Sequence, residues 1–206
     1  AEDQAASEGV NIANYIDPSN TKLAYSTDGG KTWLSTEGAK DIPGNAEFQF
    51  TVSYANIPRE ALTGANGKAF FNMPNFFRDI KSDGNIHDTN NTLAAHINVS
   101  GQKVELNFLS DWLNQQETHI HGSFYVTAKV DLNQIPDGGN KTIKYGDFEI
   151  QVPFDTDLKA KYCDLTVQKK VEPTVTQNGN ECFLEYTITV TAGQDGCPNV
   201  TVNDTF

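Results

Sequence analysis

Residues 47–54 read EFQFTVSY. Phe48, Phe50, Val52 and Tyr54 alternate with Glu47, Gln49, Thr51 and Ser53. In an extended chain this puts the apolar side chains on one face and the polar ones on the other, the pattern of a half-buried strand. The same period of two recurs along the chain. Val104, Leu106 and Phe108 show it, as do Phe124, Val126, Ala128 and Val130. Ile143, Tyr145, Phe148, Ile150 and Val152 form another run, broken at Gly146-Asp147 by a turn or bulge, and Tyr186, Ile188 and Val190 alternate with threonines. Turn residues separate the runs: Asp28-Gly29-Gly30, Pro43-Gly44-Asn45, Asp83-Gly84-Asn85, Ser100-Gly101 and Asp137-Gly138-Gly139. Many short strands at this spacing predict an all-β, immunoglobulin-like β-sandwich rather than a sheet of βαβ units. Helix is expected only as a turn or two at residues 59–62, 75–80 and 110–115, where apolar residues sit three or four apart.

The 206 residues divide unevenly. Thr156 to Lys161 is polar and charged, which sets a boundary between a head at residues 1–160 and a second unit at 161–206. The second unit offers strands at 165–171 and 182–191 and a third beginning at Val200. An immunoglobulin-like domain needs about seven, so this unit reads as the truncated N-terminal part of one. Cysteine is confined to it, as Cys163, Cys182 and Cys197. An odd number cannot pair completely within the chain. One disulfide among the three is expected, with the remaining cysteine's partner beyond Phe206; three free buried thiols are the alternative.

Composition narrows the function classes. The net charge of −12 repels phosphate backbones and anionic lipid, so neither nucleic acid nor a membrane surface is an expected partner. Nor does any apolar run approach the roughly 20 residues needed to span a bilayer. An aromatic content of 10% gives a core to bury. Ala1 to Ser7 is small and polar, like a mature end left by signal cleavage or a boundary cut within a longer protein.

The stretch from Asp83 to Asp131 resembles the adhesive domains of Gram-positive collagen-binding and fibrinogen-binding surface proteins. The resemblance rests on the turn Asp83-Gly84-Asn85, the strand Val104 to Phe108, the acidic corner Asp111-Trp112 and the strand Gly122-Ser123-Phe124. Ala69 to Phe77 is similar to a strand of that family that ends in a proline-containing loop. Residues 164–206 resemble the repeat that builds stalks of bacterial surface proteins, through LTVQKKVEPT, LEYTITVTAG and NVTVNDTF. Some such repeats join a lysine of the first strand to an asparagine of the last by an isopeptide bond. Lys169 holds the lysine position, and its partner would lie outside this chain. Together the two resemblances imply a secreted cell-surface protein, anchored to the cell wall through a C-terminal region absent here. Its head would bind an extracellular protein or glycan. A stalk or pilus-type spacer without its own ligand is the alternative.

Other constellations have plainer readings. Ser26-Thr27-Asp28-Gly29-Gly30-Lys31-Thr32-Trp33 matches the Asp-box pattern, which sialidases carry several times. Those enzymes also clamp a carboxylate with three arginines. This chain has Arg59 and Arg78 alone, so the box is expected to be a structural hairpin. His119 and His121 share a strand face near Glu117, with His96 elsewhere, and are the weak candidates for a metal site. A hydrogen-bonded strand entry is the preferred reading, and no metal or cofactor is expected. Asp83, Asn85 and Asp88 offer oxygens to calcium without the spacing of an EF-hand, and read better as a solvated turn. Five N-x-S/T sequons, beginning at Asn90, Asn98, Asn140, Asn199 and Asn203, read as products of an Asn/Thr-rich β surface. Phe70, Phe71, Met73, Phe76, Phe77 and Trp112 are candidates for the core, with a few left to line a groove between sheets. With no recognised nucleophile or base motif, the chain is read as a binding protein and not an enzyme.

Overall fold

The computed structural model describes residues 9–179, 181–193, 196–198 and 200–203, the side chains of 172–178 and 181–185 excepted. Two five-stranded sheets make the head. The first holds β1 (Val10–Asn11), β5 (Lys68–Asn72), β9 (Lys103–Phe108), β8 (Leu93–Ser100) and β7 (Asn85–His87), in that spatial order. The second holds β3 (Leu34–Ser35), β2 (Lys22–Ser26), β4 (Glu47–Pro58), β10 (His119–Val130) and β6 (Phe77–Lys81). All pairings are antiparallel except β1 with β5. The chain is an all-β protein with a two-sheet sandwich, as the alternation predicts.

The alternation decides what each strand buries. Phe48, Phe50, Val52 and Tyr54 of β4 point into the core, as do Val104, Leu106 and Phe108 of β9 and Phe124, Val126, Ala128 and Val130 of β10. Aromatic edges fill the space between sheets: Phe71 meets Phe124 edge-on at 6.1 Å between ring centres, and Phe50 at 5.8 Å. Phe70 faces the opposite side of β5 and is covered by Lys103, whose Nζ lies 5.1 Å from the ring centre.

A hairpin of β11 (Gly138–Tyr145) and β12 (Phe148–Thr156) closes one flank of the sandwich. The break read at Gly146-Asp147 is its two-residue turn, with Gly146 at φ +56°. Phe148 and Tyr145 pack on Phe50, Phe154 packs on Phe48, and the Tyr145 hydroxyl donates to Asn72 O at 2.6 Å. The hairpin therefore bridges both sheets.

Helix is short. The turns expected at 59–62 and 110–115 are α1 (Arg59–Gly64) and α2 (Ser110–Asn114). The one expected at 75–80 is instead mostly β6: a tight turn, Phe77 N to Pro74 O, leads into an edge strand paired with β10. There the sheet's tertiary pairing outweighs the local spacing of apolar residues. The polar segment at the boundary overlaps α3 (Leu158–Tyr162), whose Leu158 is fully buried in the head's core. Asp155 accepts from the Tyr162 hydroxyl at 2.8 Å and pairs with Lys161 at 2.9 Å. Beyond it β13 (Leu165–Asn178) and β14 (Glu181–Ala192) form a long antiparallel ribbon. Among the described residues no helix is long and apolar enough to cross a membrane.

Candidate functional site

A groove of about 580 Å³ lies beside β12 on the head. One wall is the outer edge of β12, from Asp147 to Pro153. The other is built by Pro18, Thr21 and the turn from Thr36 to Ala39. That turn is tied to β2, since the Thr36 amide and hydroxyl both donate to Leu23 O, at 3.2 and 3.0 Å. Gly38 takes φ +74° within it. The chain then returns to β12 at a single point. Ile42 N donates to Pro153 O and Asp155 N donates to Ile42 O, both at 2.9 Å. Phe148, Ile150, Pro153 and Ala39 give the groove an apolar floor, and Glu37, Asp147 and Glu149 give it acidic walls.

A second cleft, of about 490 Å³, lies at one end of the sandwich. It gathers the sequence-predicted Asp88, Trp112, His119 and His121 and adds His87. Asp88 organises the loop after β7: its Oδ1 accepts from the amides of Asn90 and Thr92 at 2.9 Å, and its Oδ2 from the Trp112 indole at 3.0 Å. The indole bond first, and the amides with it, hold the Asp88 carboxyl below the usual carboxylate range. Tyr54 closes the cleft's floor, and burial pushes its hydroxyl pKa up.

His119 and His121 are exposed and face the same cleft. The register of β10 against β4 shifts between Ile120 and Gly122, so His121 sits at a bulge. His119 Nδ1 lies 3.0 Å from the Thr118 hydroxyl, while His96 stands apart on β8 with its ring 2.8 Å from Asn85 Oδ1. Glu117 does not line the cleft. Among the described residues no group of three or more His, Cys, Asp or Glu side chains is arranged to hold a metal ion.

The three oxygen donors weighed for calcium are engaged separately: Asp83 accepts from the Tyr125 hydroxyl, Asn85 meets His96, and Asp88 is bonded as described. The Asp-box forms the loop of the β2–β3 hairpin. Asp28 accepts from the amides of Lys31 and Thr32 at 3.0 Å and from the Thr32 hydroxyl at 2.6 Å, and Ser26 accepts from Gly30 N at 2.9 Å. Of these candidates, Phe71, Met73, Phe76 and Phe77 belong to the core, Phe70 is buried on the outer side of β5 under Lys103, and Trp112 reaches a cleft. The residues that line the β12 groove carry no motif. A proline inside an alternating strand and a Glu-Gly turn were the signals available, and neither by itself points to a ligand.

In the second unit Cys163 and Cys197 form a disulfide, with their Cα atoms 5.4 Å apart. The side chain of Cys182 lies outside the described residues. Lys169, the lysine of the stalk resemblance, places Nζ 4.4 Å from the centre of the Tyr186 ring. It sits on one face of the ribbon with Leu165, Val167 and Val171, opposite Ala192, Val190, Ile188 and Tyr186.

A scan against protein-family models finds no match for the chain, and a search of curated proteins finds none either.

Proposed function

We propose that the chain is a fragment of a secreted cell-surface adhesin whose head binds an extracellular protein or glycan and whose second unit begins a stalk. The observation that carries this reading is the groove beside β12, open to solvent and set on a rigid sandwich, with both apolar and acidic walls. The resemblances in the head and in the ribbon, and a net charge of −12, support it. The polar groups of the end cleft also favour binding over catalysis: Asp88 is fully engaged in holding its own loop and Trp112. The test is a panel of immobilised collagen, fibrinogen and glycans, probed with the purified chain and with residues 1–160. Equal binding by the two to at least one ligand supports an adhesive head. Binding by neither overturns it.

A structural spacer is the second reading, and the ribbon favours it. Val167 is 60% exposed and Val171 52% on an amphipathic face, as expected of a sheet that completes itself against further strands.

A further inference from the structure

We propose that the groove beside β12 takes an extended, lysine- or arginine-bearing peptide segment of a partner protein as an added strand. The inference rests on the binding-protein reading above and names the class of ligand.

Backbone parity along β12 is the first argument. In an antiparallel pair, residues alternate between turning their N–H and C=O toward the partner strand and away from it. The bonds from Pro153 O and Asp155 N to Ile42 show that Pro153 and Asp155 face away from β11. The register of β12 on β11 is regular from Phe148 to Phe154. Gln151 and Glu149 therefore also turn their N–H and C=O outward, into the groove. Among the described residues those four groups have no backbone partner. They form the edge of a strand with the ladder missing on one side.

Pro153 explains why the chain does not fill that edge itself. To extend the parallel pairing upstream from Ile42, the next rung would need a donated N–H from residue 153. Proline has none. The preceding segment instead turns at Thr36 to Ala39 and stands off as the far wall. A separate strand that approaches from solvent can use Gln151 and Glu149 without that rung. Its main chain would bond to the edge while an alternate side chain rests on Phe148 and Ile150, the geometry of strand addition.

Charge selects the occupant. Glu37, Asp147 and Glu149 line the groove, and among its described lining residues there is no lysine or arginine. Lys144 pairs with Glu149 at 3.3 Å, but both side chains are about half exposed or more, so the pair neutralises little. Cationic side chains flanking a short β-branched centre fit this field, and acidic ones are repelled.

The experiment uses the whole chain, 15N-labelled, titrated with a blocked heptapeptide of Val-Thr-Val between lysine pairs, and with the same peptide carrying glutamates. The lysine peptide is expected to shift the Glu149 and Gln151 amides saturably and to slow their exchange, at least ten-fold more tightly than the glutamate peptide. Gln151→Pro removes a groove-facing N–H outside the β11 ladder and should weaken the lysine peptide at least ten-fold. Gln151→Ala keeps the backbone and should bind as the parent does. If Gln151→Pro fails to fold, the double charge reversal Glu37→Lys with Glu149→Lys serves instead and should invert the preference. Equal binding of both peptides, no shift at Glu149 and Gln151, or undiminished binding by Gln151→Pro overturns the proposal. Panel ligands held by Gln151→Pro at parent strength overturn this groove assignment and leave the adhesin reading standing. A parent chain that takes the lysine peptide but no panel ligand supports the groove and counts against the adhesin.

Discussion

Trp112 Nε1 donates to Asp88 Oδ2 across 3.0 Å and so ties α2 to the loop that follows β7. Asp88 spends its other oxygen on the amides of Asn90 and Thr92. One carboxylate thus shapes the end cleft from two elements that are 24 residues apart.

The bond has a pH signature. The folded-state pKa of Asp88 is lowered, first by the indole. Its contribution to stability is therefore complete above the ordinary aspartate pKa of about 3.9 and is lost as pH falls through the lowered folded value. Trp112→Phe should raise the Asp88 pKa, read by carboxyl NMR titration. It should lower Tm at pH 7, and by less once the pH falls below the lowered folded-state pKa of Asp88. An equal loss at both pH values would mean that packing alone, and not the bond, was removed.

Phe71 of the first sheet is fully buried and touches Phe50 and Phe124 of the second sheet and Tyr145 of the flanking hairpin. Phe71→Ala should cost roughly 3–5 kcal/mol, as large-to-small changes in a packed core do. Urea denaturation should show a lower midpoint with an unchanged slope.

Gly138 opens β11 at φ +67°, and a Cβ there would fall on the carbonyl oxygen of Asp155 and press on Leu158. Both a positive φ and a backbone clash oppose any side chain. Gly138→Ala is expected to destabilise the head by on the order of 1–3 kcal/mol and to speed amide exchange in β12 and α3. Gly139, also at positive φ but with open space around the Cβ position, is the control and should cost less.

The Cys163–Cys197 bond joins residues 34 apart, and Gly193 N donates to Asp164 O at 2.8 Å beside it. Together they pin the base of the β13–β14 ribbon. A two-stranded ribbon has little stability of its own, so losing the bond should cost the second unit about 2–4 kcal/mol. Cys163→Ser should direct the first proteolytic cuts into residues 165–192 while the head's thermal transition stays in place. A head transition that moves with the ribbon would show that the two units melt together.

Period-two alternation is a local property, so Phe48 to Tyr54 and Phe124 to Val130 announce their inner faces without knowledge of their neighbours. The Asp-box hairpin was legible for the same reason: Asp28, Gly29 and Gly30 solve a turn that lies within a few residues. Residues 75–80 misled because three- and four-residue spacing in so short a segment does not separate a helical turn from an edge strand, and the partner that decides, β10, lies some fifty residues on. The polar composition that marks residues 156–161 as a boundary does not announce that Leu158 is buried in the head's core as the start of α3. His119 and His121 share a face, as the alternation requires, but their meeting with His87 and Asp88 depends on β7 and α2 folding to one end of the sandwich. The groove was least visible of all. It exists because Pro153 denies one N–H to a segment that comes from more than a hundred residues away, and only the closed sandwich brings those two stretches side by side.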